Sequence, residues 1–194
     1  MRTWTKLLLW LVLALPAMAM IAGFARGELA MDMLHPTGEM SVRMMLLAML
    51  PGPLADFFGH NRFLRGWIAA RRYFGVAAFG FAMLHLIFYV IDMGALGPII
   101  DELELPSIWT GWLALLLMAP AAAISFDAAM RAMKRNWKRV QRVVYVAFAL
   151  GIIHWLLLGW EWKPAAIHAA PLILAWLLRL IARRRASTPE RTST

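Results

Sequence analysis

Long runs of apolar residues constrain this chain more than any other feature of its sequence. Five runs, at residues 7–25, 73–93, 109–126, 143–160 and 164–182, are close to the ~20 residues that a helix needs to cross a bilayer. Hydrophobic residues make up 62% of the 194-residue chain and charged residues only 16%, a balance that a water-soluble domain of this length does not need. The sequence therefore predicts an all-α integral membrane protein.

A sixth segment, at residues 41–58, is less regular because Pro51, Gly52 and Pro53 interrupt it. Such a segment forms either a kinked span or a re-entrant loop. We expect a kinked span, because the strongly basic loops then all fall on one side. The expected fold is a six-helix transmembrane bundle with one domain over residues 1–186, a disordered tail at 187–194 and no internal repeat.

Basic residues are concentrated at one end of this predicted bundle. The N-terminus, the loops after the second and fourth spans and the C-terminal segment hold 17 of the 20 Lys and Arg residues. The loop at residues 96–107 holds Asp101, Glu102 and Glu104 and no basic residue. By the positive-inside rule, both termini are expected in the cytoplasm.

The N-terminal segment has two interpretations. A short basic start, an apolar run and Ala17-Met18-Ala19 are typical of a cleaved signal peptide. We expect the segment to be retained as the first span, because the apolar run continues past Ala19 to Ala25.

Several function classes are excluded by what the chain lacks. It has no cysteine, so disulfides, thiolate metal sites, cysteine-bound iron–sulfur clusters and a cysteine nucleophile are absent. It has no GxGxxG phosphate loop and no polar segment long enough to fold a nucleotide-binding domain. The net charge of +9 reports membrane orientation rather than nucleic-acid binding.

Two histidines lie inside the apolar runs, His85 in the third span and His154 in the fifth. They follow Arg72 and Arg142, which mark the cytoplasmic entry of those spans, by 13 and 12 residues. Both imidazoles are therefore expected roughly 18 to 20 Å from the cytoplasmic edge, in the outer half of the membrane. An ionisable residue at such a depth is costly and indicates a functional site.

Two imidazoles at one depth on different helices can ligate a single haem iron from opposite faces of the porphyrin. A bare zinc or copper ion would need further ligands, and we expect no carboxylate at this depth. Small residues near the two histidines leave room for a flat macrocycle, although such residues also pack membrane helices together. They are Ala78, Ala82, Ala147 and Gly151. We therefore expect His85 and His154 to be the axial ligands of a haem.

A non-redox alternative stays open from these residues alone. In a small transporter or assembly protein, the two histidines would only pack or relay protons. The Pro51-Gly52-Pro53 interruption favours this alternative, because broken helices line transport sites.

The other three histidines are less informative. His168 lies four residues into the last predicted span, where it is a secondary haem contact, an alternative ligand or an interfacial residue. His35 is expected in the outer loop before the second span, also as a secondary haem contact or a helix cap. His60 lies in a basic inner loop, where we expect it to be solvated.

Motifs around these positions occur in an order and spacing that resemble a known family. They are His35-Pro36-Thr37-Gly38, Arg71-Arg72-Tyr73-Phe74-Gly75 before His85, and Asn136-Trp137-Lys138-Arg139-Val140-Gln141 before His154. Together with the spans between them they cover most of residues 35–160, and they resemble the ferric reductase-like transmembrane family. The resemblance implies a six-helix bundle that binds haem b and passes single electrons across the bacterial inner membrane, with His85 and His154 at the haem-ligand positions.

The resemblance also implies partners and a stoichiometry. It is greatest to the haem-binding subunits of methionine-sulfoxide reductase systems, which implies electrons from a cytoplasmic flavin reductase or the quinone pool and a periplasmic reductase as acceptor. It also implies bound FMN, although no motif places it, and direct reduction of ferric chelates or quinone is the alternative within the family. Members with a second, inner haem carry histidines where this chain has Arg71 or Arg72 and Val140 or Gln141. We therefore expect one haem.

Overall fold

The computed structural model describes residues 3–159 and 161–187. All regular secondary structure in these residues is helical. The helices are α1 (Thr3–Ala25), α2 (Ala30–Met49), α3 (Pro51–Phe58), α4 (Arg62–Met93), α5 (Leu96–Glu102), α6 (Pro106–Ala123), α7 (Asp127–Met133), α8 (Arg135–Gln141), α9 (Val143–Leu157) and α10 (Trp162–Ser187).

Six stretches of the described residues are helical, long and apolar enough to cross a membrane. Four are the single helices α1, α4, α6 and α10, and the other two join α2 with α3 (Ala30–Phe58) and α8 with α9 (Arg135–Leu157). The prediction of an all-α protein with six spans is confirmed.

The second span begins much earlier than the sequence predicted. Helix α2 starts at Ala30 rather than near residue 41, so His35 is a helical residue and not part of an outer loop. Hydropathy alone hid this start because His35, Glu39 and Arg43 lower the apolar character of the first turns. The Pro51-Gly52-Pro53 segment does not unwind the span, since Leu50 keeps helical dihedral angles (φ −62°, ψ −42°) and α3 begins directly at Pro51.

Other helix ends also differ from the predicted spans. Helix α4 starts at Arg62, eleven residues before the predicted position, and the span that contains His154 starts at Arg135. Hydropathy detects the lipid-buried length of a helix, whereas the helix itself continues into the polar interface. Helix α10 includes Ser187, the first residue of the predicted tail; Trp160 and residues 188–194 lie outside the described residues.

Two helix pairs form most of the bundle. Helix α2 packs most extensively against α4, and α6 packs most extensively against α9. Each pair carries the same tie near its basic end, where an indole Nε1–H donates to a backbone carbonyl. Trp67 of α4 donates to Leu47 O of α2 (2.8 Å), and Trp137 of α8, which precedes α9 in the same span, donates to Ile124 O directly after α6 (3.0 Å). The bundle therefore contains two similar halves, which the sequence analysis did not predict.

Two ion pairs connect segments at the same end of the bundle. Arg72 of α4 pairs with Asp127 at the start of α7, and Arg179 Nε of α10 lies 2.7 Å from Asp56 Oδ2 of α3. The hydrogen bond from Arg72 holds the pKa of the Asp127 carboxyl below its ordinary value. These pairs fix α7 and α10 against the spans that precede them.

Candidate functional site

The imidazole rings of His85 and His154 face each other inside the bundle. Their centroids lie 6.2 Å apart, and their planes are nearly perpendicular at 86°. His85 comes from α4 and His154 from α9, one from each helix pair. The two histidines that the sequence singled out on different spans therefore lie side by side in the bundle.

His85 is held by the neighbouring helix α2. Its Nδ1–H donates to the backbone carbonyl of Leu34 at 2.9 Å, and the Thr37 hydroxyl lies 3.3 Å from the same nitrogen. That hydroxyl itself donates to the carbonyl of Met33 (2.6 Å). Gly38 allows the close approach, since a Cβ at this position would lie 3.3 Å from the ring.

His154 is held by α6 in the same way. Its Nδ1–H donates to the backbone carbonyl of Ser107, and the Thr110 hydroxyl donates to the carbonyls of Pro106 (2.7 Å) and Ser107 (2.9 Å). The ring lies even closer to Gly111, where a Cβ would be 2.8 Å from Nδ1. Real Cβ contacts essentially never reach such a distance, so glycine is required here by proximity alone.

The two sites repeat one arrangement, which we call the threonine–glycine cradle. A carbonyl accepts the histidine proton, a threonine follows three residues later and a glycine follows four residues later, at Leu34, Thr37 and Gly38 and again at Ser107, Thr110 and Gly111. Because Nδ1 of each neutral ring carries the proton, Nε2 of each ring keeps a free lone pair. Carbonyls that fix histidines in this tautomer are typical of metal-binding sites.

The separation of the rings fits one metal ion between them. Metal–imidazole bonds are about 2 Å long and the ring centroid lies roughly 1 Å behind the bonding nitrogen, so two rings on one ion have centroids roughly 6 Å apart. The surrounding cavity has a volume of about 140 Å³ and is lined mostly by apolar residues. The two imidazoles, their separation and their apolar surroundings therefore fit an iron-centred group such as haem.

The sequence of this chain matches the model of a known protein family. The family model for the ferric reductase-like transmembrane component matches residues 37–152, which include His85 and both threonine–glycine pairs. This match covers more than half of the chain. The chain belongs to the ferric reductase-like transmembrane family.

Individual relatives within this ferric reductase-like family share most of the chain. The protein-methionine-sulfoxide reductase heme-binding subunit MsrQ of Yersinia enterocolitica is 32% identical over 180 residues, which is 89% of this chain and 86% of the relative. The proteins of the same name from Yersinia pseudotuberculosis (serotype O:1b) and Yersinia pestis (strain Pestoides F) are 29% identical over 189 residues, 92% of this chain and 88% and 86% of the relatives. These names state haem binding and mention no flavin.

A carboxylate lies beside the histidine cavity of this family member, contrary to the sequence prediction. Glu39 lines the cavity together with His35 and Trp155. The prediction was wrong because it placed the start of α2 eleven residues too late and so left Glu39 outside the membrane. Glu39 is compensated, since Arg43 Nη2 lies 2.5 Å from its Oε1.

His168 belongs to the cluster around this carboxylate. Its Nδ1–H donates to the Pro164 carbonyl (2.7 Å), and its Nε2 accepts from Arg43 Nε (3.2 Å). The rings of His168 and His35 each lie 5.4 Å from the indole of Trp155, whose Nε1–H is buried without a hydrogen-bond partner among the described residues. Both nitrogens of His168 are thus engaged, whereas His60 is exposed between α3 and α4.

Two of the positions that the sequence analysis considered for an inner ligand pair hold side chains with other contacts. Arg72 pairs with Asp127. Gln141 donates from Nε2 to the carbonyl of Ala121 (2.9 Å) and to Ser125 Oγ (3.2 Å), and it thereby ties α8 to α6. The structure thus brings His85 and His154 together, whereas Arg72 and Gln141 form contacts of their own.

Sequence reasoning missed the cradle residues and the Glu39 cluster. The Thr-Gly pair at 37–38 recurs at 110–111, and this recurrence was the available signal for the cradles. No periodicity signals Glu39 or Arg43, because their partner His168 is more than 120 residues away in the sequence.

Proposed function

We propose that this protein binds one haem b between His85 and His154 and acts as the electron-transfer subunit of a methionine-sulfoxide reductase system. The observation that carries the proposal is the pair of imidazoles 6.2 Å apart, each fixed through Nδ1 by a backbone carbonyl. The names of the MsrQ relatives support the same cofactor and system.

A haem held by the imidazoles of His85 and His154 would supply a one-electron carrier suited to electron transfer. The chain orients the two imidazoles and surrounds them with mostly apolar side chains. Leu34 and Ser107 hold the Nδ1 protons, so both rings present Nε2 without a tautomer change. Ala147 and Gly151 lie on the cavity wall and leave space for a flat ring.

The proposed path runs from the cytoplasm to the periplasm. Both termini and the basic loops lie in the cytoplasm of a bacterium, and residues 1–186 form one domain in its inner membrane. A cytoplasmic flavin reductase or quinol donates electrons, and a periplasmic, MsrP-like reductase accepts them. The acidic loop with Asp101, Glu102 and Glu104 lies at the outer face, where it can steer a basic partner surface.

The haem content of the purified protein tests the proposed stoichiometry of one haem per chain. We expect a pyridine haemochrome assay to give one haem per chain, because the positions of an inner ligand pair hold Arg71 or Arg72 and Val140 or Gln141 rather than histidines. A value near two would contradict this stoichiometry.

The His168→Ala variant tests the choice of ligands. Both ring nitrogens of His168 already have partners, so we expect haem content to stay at the wild-type level and the midpoint potential to shift, since a compensated charge cluster beside the cavity is disturbed. If this variant lost haem and His154→Ala did not, the assignment of His154 as an iron ligand would be wrong.

The direction of electron flow has its own experiment. The haem protein in proteoliposomes is reduced chemically, and its reoxidation is followed after a periplasmic methionine-sulfoxide reductase and a methionine sulfoxide are added outside. We expect reoxidation that requires both additions. A haem that stays reduced under these conditions but is reoxidised by a ferric chelate alone would favour ferric reduction instead.

A further inference from the structure

A second cavity lies toward the basic end of the bundle, beneath the histidine site. It has a volume of about 700 Å³ and is lined by parts of α2, α3, α4, α6, α8, α9 and α10. Met45 and Met118 line both this inner cavity and the histidine cavity. The inner cavity therefore begins where the histidine cavity ends, and the electron-transfer proposal gives it no role.

The lining of the inner cavity is strongly cationic. Two of its basic residues are neutralised, Arg72 by Asp127 and Arg179 by Asp56. Four others have no ion-pair partner among the residues that the structure describes: Arg71, Lys138, Arg142 and Arg183. No carboxylate of the described residues lines the cavity, so nothing else in this lining offsets the positive charge of these four exposed side chains.

Charge and apolar surface are separated along the cavity. On α10 the lining residues run from Trp176 through Arg179 to Arg183, over about 10 Å toward the helix end. On α4 they run from Gly75 to Arg71 in the same sense, whereas Met45 and Met118 form the opposite, apolar end. A small soluble anion would leave the apolar end without contacts, and an uncharged lipid would leave the cations without a counterion. The lining suits an amphiphile with an anionic head.

We propose that the inner cavity binds an anionic phospholipid. The phosphate group lies among Arg71, Lys138, Arg142 and Arg183, and an acyl chain lies against Met45, Met118 and the apolar wall. Arginine pairs with phosphate oxygens through two parallel N–H donors, and basic pockets between transmembrane helices recognise anionic headgroups. The inference is independent of haem ligation, since it uses neither His85 nor His154.

Lipid retention in native mass spectrometry tests this proposal. The full chain is reconstituted in nanodiscs of phosphatidylcholine containing some phosphatidylglycerol, and the lipids that remain bound after release are counted. We expect wild type to retain phosphatidylglycerol about tenfold more often than its share of the bilayer, and the Arg71→Gln/Arg142→Gln double variant to lose most of this preference.

Matched variants separate a built site from general surface charge. Arg62→Gln/Arg65→Gln removes the same charge from exposed residues of α4 that line neither cavity, and it should retain wild-type preference. Arg71→Lys/Arg142→Lys keeps the charge and should retain most of it. An unchanged haem band in each variant shows that the fold and the histidine site are intact.

Three results would overturn the proposal. They are no preference for phosphatidylglycerol in wild type, an equal loss of preference in the Arg62/Arg65 variant, and displacement of the lipid by inorganic pyrophosphate, which would show that the site takes a soluble phosphate.

Discussion

Replacing either His85 or His154 with alanine is expected to remove the haem band almost completely. Each variant leaves one axial imidazole, and the remaining contacts of the cavity are mainly apolar, so the ligand loses one of its two strong anchors. The measurement is the absorbance of the reduced b-type α-band relative to protein, after purification in detergent. The same variants should keep wild-type elution in size-exclusion chromatography, because each ring is tied to the neighbouring helix through Nδ1 alone, by Leu34 O and Thr37 Oγ1 at His85 and by Ser107 O at His154.

His60→Ala is the control for these two variants. His60 is exposed between α3 and α4, away from the cavity, so its replacement should leave the band unchanged. If His85→Ala and His154→Ala both retained full haem content, the ligand assignment would be wrong.

Gly111→Ala is expected to have the next largest effect, although it adds only one methyl group. A Cβ at Gly111 would lie 2.8 Å from Nδ1 and 2.9 Å from Cε1 of His154, and the Ser107 carbonyl fixes that ring in place. The ring must turn or α6 must move away from α9. Overpacking of this kind costs about 1–3 kcal/mol, which corresponds to haem affinity that is weaker by a factor of roughly 5 to 160. Haem content and the shape of the α-band measure the effect.

Two other glycines provide a graded comparison for this variant. A Cβ at Gly38 would lie 3.3 Å from the His85 ring, and a Cβ at Gly80 would meet no atom within 4 Å. Gly38→Ala should therefore show a smaller loss than Gly111→Ala, and Gly80→Ala should show none. Equal behaviour of all three variants would mean that close packing against the histidines does not control haem binding.

The number of spans could be predicted from the sequence, and so could the pairing of the two histidines, because both follow from local quantities. Hydropathy counts the residues that a bilayer covers, and the rise per residue converts a spacing from Arg72 or Arg142 into a depth. The start of α2 could not be predicted in this way, since Glu39 and Arg43 are polar residues whose cost is offset by contacts with each other and with His168 on α10. Partners so distant in the sequence do not alter any local pattern.

The threonine–glycine cradles could not be predicted from the sequence either. Thr37-Gly38 and Thr110-Gly111 are too short to stand out in a sequence with 13 glycines. Their meaning comes from the pairing of α2 with α4 and of α6 with α9, which puts one carbonyl and one glycine against each histidine. The repeat of this arrangement is a property of the packed helices rather than of either segment.

The visible spectrum of the detergent-purified wild-type protein tests the central proposal, one haem held between His85 and His154, most directly. The account predicts a reduced b-type α-band that does not change when carbon monoxide is added, since two imidazoles occupy both axial positions. A colourless but well-folded protein, or a band that carbon monoxide shifts completely, would contradict it.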